Sequence, residues 1–152
     1  FSPNPREYFL MADKRRQMKL RDFLPEDFKR IIPESKLFSE FESKEDLWSQ
    51  RKKYFFKPSA SFGSKAAFSG KGISKKAFEG IYAPDFMAQE LVPAGKRKFH
   101  YEDQEVEMKF DLRFFTFNGE VQNYGARIYQ GQTTNMKTPL GGITPIRFTD
   151  KN

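Results

Sequence analysis

From Val106 the chain alternates between two kinds of side chain: Val106, Met108, Phe110, Leu112 and Phe114 are apolar, while Glu107, Lys109, Asp111 and Arg113 are charged. A period of two predicts a strand with one buried and one charged face. Asn118-Gly119 is a strong turn signal, and Glu120 to Gln130 reads as the returning strand. The loop length decides where Arg127 goes. A two-residue loop at Asn118-Gly119 puts Arg127 opposite Phe110, on the apolar face. A three-residue loop with a left-handed Gly119 and a bulge puts it on the Asp111/Arg113 face. The second is favoured, because it spares a buried, unpaired arginine.

The same reading extends upstream. Tyr54-Phe55-Phe56-Lys57-Pro58 predicts a buried strand ended by proline, and Phe86 to Pro93 a second one. Ser43 followed by Glu45 and Asp46 marks a helix start carrying Leu47 and Trp48. Ser74 caps another helix, with Ala77, Phe78 and Ile81 on one face. Met11 to Leu20 predicts a helix stopped by Pro25, and Ile31 to Phe38 a short strand. Gly95 to Glu105 is charged and reads as a mobile loop. Its His100 reads as a solvent-exposed imidazole. The expectation is α+β: two small subdomains of antiparallel sheet with helices. Their bounds are a lead-in over 1–43, a first subdomain over 44–92 and a second over 93–152.

Composition narrows the chemistry. The chain has 152 residues, no cysteine and one histidine. Disulfides, thiolate catalysis and zinc-cysteine sites are excluded, and any metal would be a hard ion on oxygen ligands. No apolar run is long enough to span a bilayer, and a cytoplasmic setting without membrane partners is the expectation. Net charge is +7, with 18 phenylalanines, which favours anionic partners. Basic plus aromatic composition is also the footprint of a single-strand nucleic-acid binder. The alternation of the aromatics with polar residues argues instead for a core.

Three segments carry candidate chemistry. Ser59 to Gly72 holds Ser61, Gly63, Ser64 and Lys65, small residues that let backbone amides approach an anion beside a cation. It is not a Walker loop, and a plain hairpin turn is the competing explanation. Arg113 and Arg127, with Asp111 orienting one of them, suit a polyphosphate, against a surface charge ladder as the ordinary alternative. Gly131 to Asn135 and Pro139 to Gly142 form a polar, glycine-rich tail. It has the makings of a loop around an anion or carboxylate, or of an ordinary surface loop.

Taken in order, these segments resemble a known family. The chain runs through Lys57-Pro58, a Gly/Ser loop, Met87-Ala88-Gln89-Glu90-Leu91-Val92, Asp111-Leu112-Arg113, an Asn-Gly-Glu hairpin, Ala126-Arg127-Ile128 and Gly141-Gly142. This is similar to the ATP-grasp ligases of the bacterial glutathione synthetase type. The resemblance is densest from Tyr54 to Gly142. It implies a nucleotide site between two ATP-grasp subdomains. Lys57 would reach the α-phosphate or the adenine edge, with Lys14 near the place of an earlier ATP-contacting lysine. The loop with Ser61, Gly63, Ser64 and Lys65 would close over the β and γ phosphates. Glu90 and Val92, flanked by Gln89 and Leu91, would meet adenine through their backbones. Arg113 and Arg127 would be catalytic, stabilising the γ-phosphate and an acyl phosphate, with Asp111 beside them. Asn135, Gly141 and Gly142 would approach the substrate.

The activity implied is ATP-dependent joining of a carboxylate to an amine or thiol. ATP and magnesium are the implied cofactors, and a small carboxylate and amine the implied partners. The family's magnesium ligands would lie beyond Asn152, so this stretch is expected to be a fragment that binds nucleotide weakly and does not catalyse alone. The Gly95 to Phe110 segment is longer than its family counterpart. Thr133-Thr134-Asn135 replaces the family's Arg-Gly-Asn string at shifted spacing. The alternative is a non-catalytic basic module for nucleotide or single-stranded nucleic acid.

Overall fold

The computed structural model describes residues 4–60 and 66–149. The chain is α+β and divides into two units, Phe1–Val92 and Pro93–Asn152, each with its own four-stranded antiparallel sheet.

The first unit opens with three short helices: α1 (Pro5–Met11), α2 (Lys14–Asp22) and α3 (Glu26–Lys29). One helix over Met11 to Leu20 is therefore not what forms. Asp13 takes extended backbone and accepts the Arg15 N–H, so it caps a new helix at Lys14 instead of continuing the old one. The strand expected over Ile31 to Phe38 shrinks to β1 (Ser35–Leu37). Phe38 leaves the strand because its ring belongs to the core. It starts a 3-10 turn whose Glu40 carboxylate accepts the Leu37 N–H.

The remaining elements are α4 (Lys44–Gln50), β2 (Tyr54–Pro58), β3 (Phe68–Ser69), α5 (Lys75–Ile81) and β4 (Phe86–Glu90). Ser43 and Ser74 cap α4 and α5 by accepting the N–H of Asp46 and of Ala77. The sheet order is β1-β4-β2-β3. Its core is aromatic: Phe38, Leu47, Phe56, Phe78 and Ala88 are buried together. Phe38 meets Phe56 edge-on at 5.3 Å, and Trp48 lies 5.2 Å from Phe78. Ala88 stands opposite Phe56 in the register, a small side chain beside a large ring. With Phe56 inward, strand alternation sends Phe55 and Lys57 to the other face.

The second unit is a sheet in the order β5-β6-β7-β8, with β5 (Gly95–Tyr101), β6 (Gln104–Phe117), β7 (Glu120–Tyr129) and β8 (Gly142–Pro145). The loop expected from Gly95 to Glu105 is instead a strand and a turn. Lys96 and Lys98 share one sheet face and pair across it, Lys96 with Glu107 at 2.8 Å and Lys98 with Glu105 at 2.6 Å, while Arg97 stands opposite Met108 on the other face. Backbone pairing orders the segment without buried apolar residues. Gly141-Gly142 is also not one loop: Gly142 opens β8 opposite Ile128, while Gly141 closes the turn before it. A Cβ on Gly141 would lie 2.8 Å from the carbonyl oxygens of Met136 and Thr138, so only glycine fits there.

The β6–β7 hairpin reaches the favoured register by another route. The loop is the two-residue one, with Phe117 opposite Glu120 and both Asn118 (φ 49°) and Gly119 (φ 80°) left-handed. The extra residue is Gln122, which has no partner between the pairs Thr116/Val121 and Phe115/Asn123. This bulge shifts every later pair by one, so Arg127 stands opposite Asp111.

Deleting Gln122 is expected to restore continuous pairing while Asn123 stays opposite Phe115 and Arg127 opposite Asp111. Urea unfolding should then show a change of no more than about 0.5 kcal/mol, with nuclear Overhauser contacts still joining residues 111 and 127. Loss of those contacts, with a large loss of stability as Arg127 meets the apolar face, would mean that Gln122 is not the residue that sets the register.

Candidate functional site

In the first unit, Lys57 leaves β2 on the face opposite Phe56 and donates from Nζ to Gln89 Oε1 at 2.6 Å. Gln89 passes the link on, its Nε2 donating to Ser35 Oγ at 3.0 Å. One polar chain therefore crosses three strands. Lys14, the first residue of α2, reaches the end of β2: its Nζ donates to the Pro58 carbonyl at 3.1 Å and its backbone N–H to the Ser59 carbonyl at 3.0 Å. Ser59 is buried, and its own N–H donates to Asp85.

The two amines are anchored around the same strand, Lys14 at the Pro58 carbonyl and Lys57 at Gln89. Burial holds the Lys57 amine below the ordinary lysine range, and the charge of Lys14 lowers it further. Burial lowers Lys14 too, against the opposing pull of Asp13. Asp13 is itself engaged by the Arg15 guanidinium at 2.6 Å. That hydrogen bond, against a smaller burial effect, brings its carboxyl down to about 2.

Of the residues expected to meet adenine, two have backbone N–H groups already committed. The Glu90 N–H donates to Glu34 at 2.7 Å and the Leu91 N–H to Lys53 at 2.8 Å. Val92 lies exposed just past β4, and its N–H donates to no other residue among those described. A groove of about 730 Å³ runs between α2 and β1, with Met18, Ile32 and Leu37 in its lining alongside Arg16 and Lys19. Ser35, the last member of the polar chain, also lines it.

In the second unit, Arg127 grips Asp111 with two parallel bonds, Nε to Oδ1 at 2.8 Å and an Nη to Oδ2 at 2.7 Å. Arg113, two residues along β6 on the same face, has Nε 3.5 Å from Asp111 Oδ1. Thr134 donates to the same carboxylate at 3.4 Å. One carboxylate shared by two guanidiniums leaves a net positive surface, with Arg113 46% exposed.

Asn135 closes a turn, its Oδ1 accepting the Lys137 N–H at 3.0 Å and its carbonyl the Thr138 hydroxyl at 3.0 Å. With Gly141 in the same turn and Gly142 in β8, these three residues have structural roles in the fold. Ser61, Gly63, Ser64 and Lys65 lie outside the described residues. Among the described residues, no group of three or more His, Asp or Glu side chains comes together. The described residues therefore offer magnesium no cluster of three such ligands.

No family model, curated protein or solved structure matches the chain.

Sequence reasoning missed Ser35 as the far end of the Lys57-Gln89 chain. The two residues it joins, Ser35 and Gln89, are 54 positions apart, and only the pairing of β1 with β4 brings them together. It also missed Ser59 as the dock for α2.

Both ends of this cluster gain stability as pH rises, in different windows and for different reasons. Asp13 has a folded value below its unfolded 3.8, so its contribution is present above 3.8 and lost as pH falls toward about 2. Lys57 has a folded value below its unfolded 10.5, so its charge disfavours folding at lower pH. That penalty is relieved as pH rises through the lowered value toward 10.5. Nitrogen-detected NMR titration of the lysine amines is expected to give Lys57 a midpoint below those of exposed lysines. Inorganic triphosphate should move it upward. An unmoved midpoint would count against anion binding at this position.

Proposed function

We propose that the chain is the nucleotide-binding part of an ATP-dependent carboxylate–amine, or carboxylate–thiol, ligase of the ATP-grasp kind. The observation that carries the reading is that Lys57, held by Gln89, and Lys14, held at the Pro58 carbonyl, lie in one neighbourhood in which the charge of Lys14 is felt by the partly desolvated Lys57 amine. Two such cations repel each other. An anion with several charged oxygens, such as a nucleotide phosphate, removes that repulsion. Lys57 is fixed by Gln89 before any ligand arrives, so little ordering entropy is lost on binding.

The chemistry needs no nucleophilic side chain. A substrate carboxylate oxygen attacks the γ-phosphorus of ATP, and the β–γ bridging bond breaks to release ADP. The amine or thiol then attacks the acyl carbon, phosphate leaves, and the proton of the nucleophile passes to solvent or base. The protein's part is to position charge and exclude water. In this reading Lys57 and Lys14 hold phosphate oxygens. The resemblance assigns to Arg113 and Arg127, in the second unit, the charge that develops on the transferred phosphoryl group. Asp111 fixes the Arg127 guanidinium through two bonds, so it meets an anion with little reorganisation.

One observation favours a second reading, a basic module for single-stranded nucleic acid. Phe115 and Phe117 follow Arg113 on the same side of β6 and are 49% and 67% exposed, as stacking platforms are.

Calorimetric titration of the chain with ATP separates the two. The ligase reading expects ATP binding that Lys57→Ala weakens at least tenfold, about 1.4 kcal/mol. Unlabelled oligothymidylate should not compete. Absent heat at millimolar ATP, or equal affinity in the variant, would sink it. Tight, salt-sensitive oligothymidylate binding unaffected by ATP would establish the second reading instead.

A further inference from the structure

The distal half of the β6–β7 hairpin, from Leu112 to Asn123, is exposed at every position. A two-stranded ribbon with both faces in water is marginal by itself. Its two faces differ in chemistry. One carries Arg113, Phe115 and Asn123, continuing the side that bears Asp111 and Arg127. The other carries Leu112, Phe114, Thr116, Val121 and Tyr124, with no charge at all. Tyr124 takes Phe114 edge-on at 5.4 Å and Phe148 edge-on at 5.0 Å. These rings form a preset cluster, so little side-chain entropy remains to be lost.

We infer that this uncharged face is a dimer interface, packed against the same face of a second copy about a two-fold axis. Such contacts are isologous and need a self-complementary surface, which an uncharged apolar face provides. Leu112 is 51% exposed, Phe114 58%, Val121 41% and Phe148 76%. At about 150–250 Å² for each aromatic side chain, they offer roughly 450 Å² per copy. Two copies would bury on the order of 900 Å², below the range of stable complexes, so the dimer is weak and reversible. Association by sheet edges is disfavoured. β5 carries Lys96, Arg97 and Lys98 along its edge, and β8 ends in Pro145. Face-to-face packing also leaves Arg113 and Arg127 on the outside.

Salt distinguishes this contact from one made by ion pairs. Each copy carries +7, so the copies repel until salt screens them, and association should strengthen with ionic strength. Sedimentation equilibrium of the chain is expected to show a monomer–dimer balance in the micromolar to sub-millimolar range that shifts toward dimer as salt rises. Phe114→Lys should abolish the dimer with an unchanged far-ultraviolet spectrum, with Val121→Lys as the second variant if that one fails to fold. Phe117→Lys, on the opposite face, should leave it intact. A monomer at the highest soluble concentration would overturn the inference. So would a dimer that survives both face variants, or open-ended aggregation in place of a closed dimer.

Discussion

A strand gives each side chain one choice of face, and both cationic surfaces of this protein are consequences of that choice. In the first unit Phe56 is fully buried among Phe38, Phe78 and Ala88, so its neighbour Lys57 is sent to the other side of the sheet. In the second unit Met108 and Ala126 are buried on one side, so Asp111 and Arg127 stand on the other. The apolar residues provide the burial energy, and the cations go where the pleat leaves them. A one-residue slip in either sheet would exchange the two faces wholesale. Register is therefore the quantity on which the surface chemistry rests. In the second sheet it depends on a single unpaired residue, Gln122.

The two units hold their cations in different ways. Arg127 is neutralised in part by the Asp111 carboxylate that it grips. Among the described residues, Lys57 and Lys14 donate to neutral oxygens: the Gln89 amide, the Pro58 carbonyl and the Ser59 carbonyl. Amide oxygens orient an ammonium without cancelling its charge, and the charge of Lys14 is felt at the Lys57 amine. The Asp13 cap and the backbone bond from Lys14 to Ser59 fix where α2 starts beside β2.

Much of this was legible from local pattern. The β2 strand, the Ser43 and Ser74 caps and the β6 alternation all rest on interactions within a few residues, and the structure has them where the pattern put them. What local pattern could not supply was competition between local and distant partners. Met11 to Leu20 has the periodicity of one helix, yet Asp13 hydrogen-bonds its own neighbour and docks Lys14 on Ser59. Gly95 to Tyr101 lacks an apolar face. Its order comes from pairing with β6, in which Lys96 and Lys98 find Glu107 and Glu105. The position of Arg127 was anticipated for the right physical reason, avoidance of a buried arginine. The device was misplaced, because a left-handed pair at Asn118-Gly119 and a bulge at Gln122 give the same register as a longer loop. Of the candidate site, the Lys57 and Arg127 surfaces were readable. The Ser35-Gln89 link was not, since it joins residues that only sheet topology makes neighbours.

Anchoring by neutral groups in one unit and by a carboxylate in the other has a consequence for how an anion would be held. A phosphate approaching Arg113 and Arg127 must share them with Asp111, whose charge opposes it. The geometry there favours orientation over raw attraction, since the bidentate grip fixes one guanidinium while Arg113, at 3.5 Å, keeps most of its donors for a ligand. Near Lys14 stands the carboxylate of Asp13, which Arg15 already holds. There the attraction is stronger and the orientation looser, because an ammonium on a flexible stem acts as a point charge. Strong, loosely directed attraction suits an anion with many charged oxygens, and weaker, directed contact suits a planar or bidentate one. The two units therefore differ in the kind of anion each is built to hold, and that difference follows from how each set of cations is anchored.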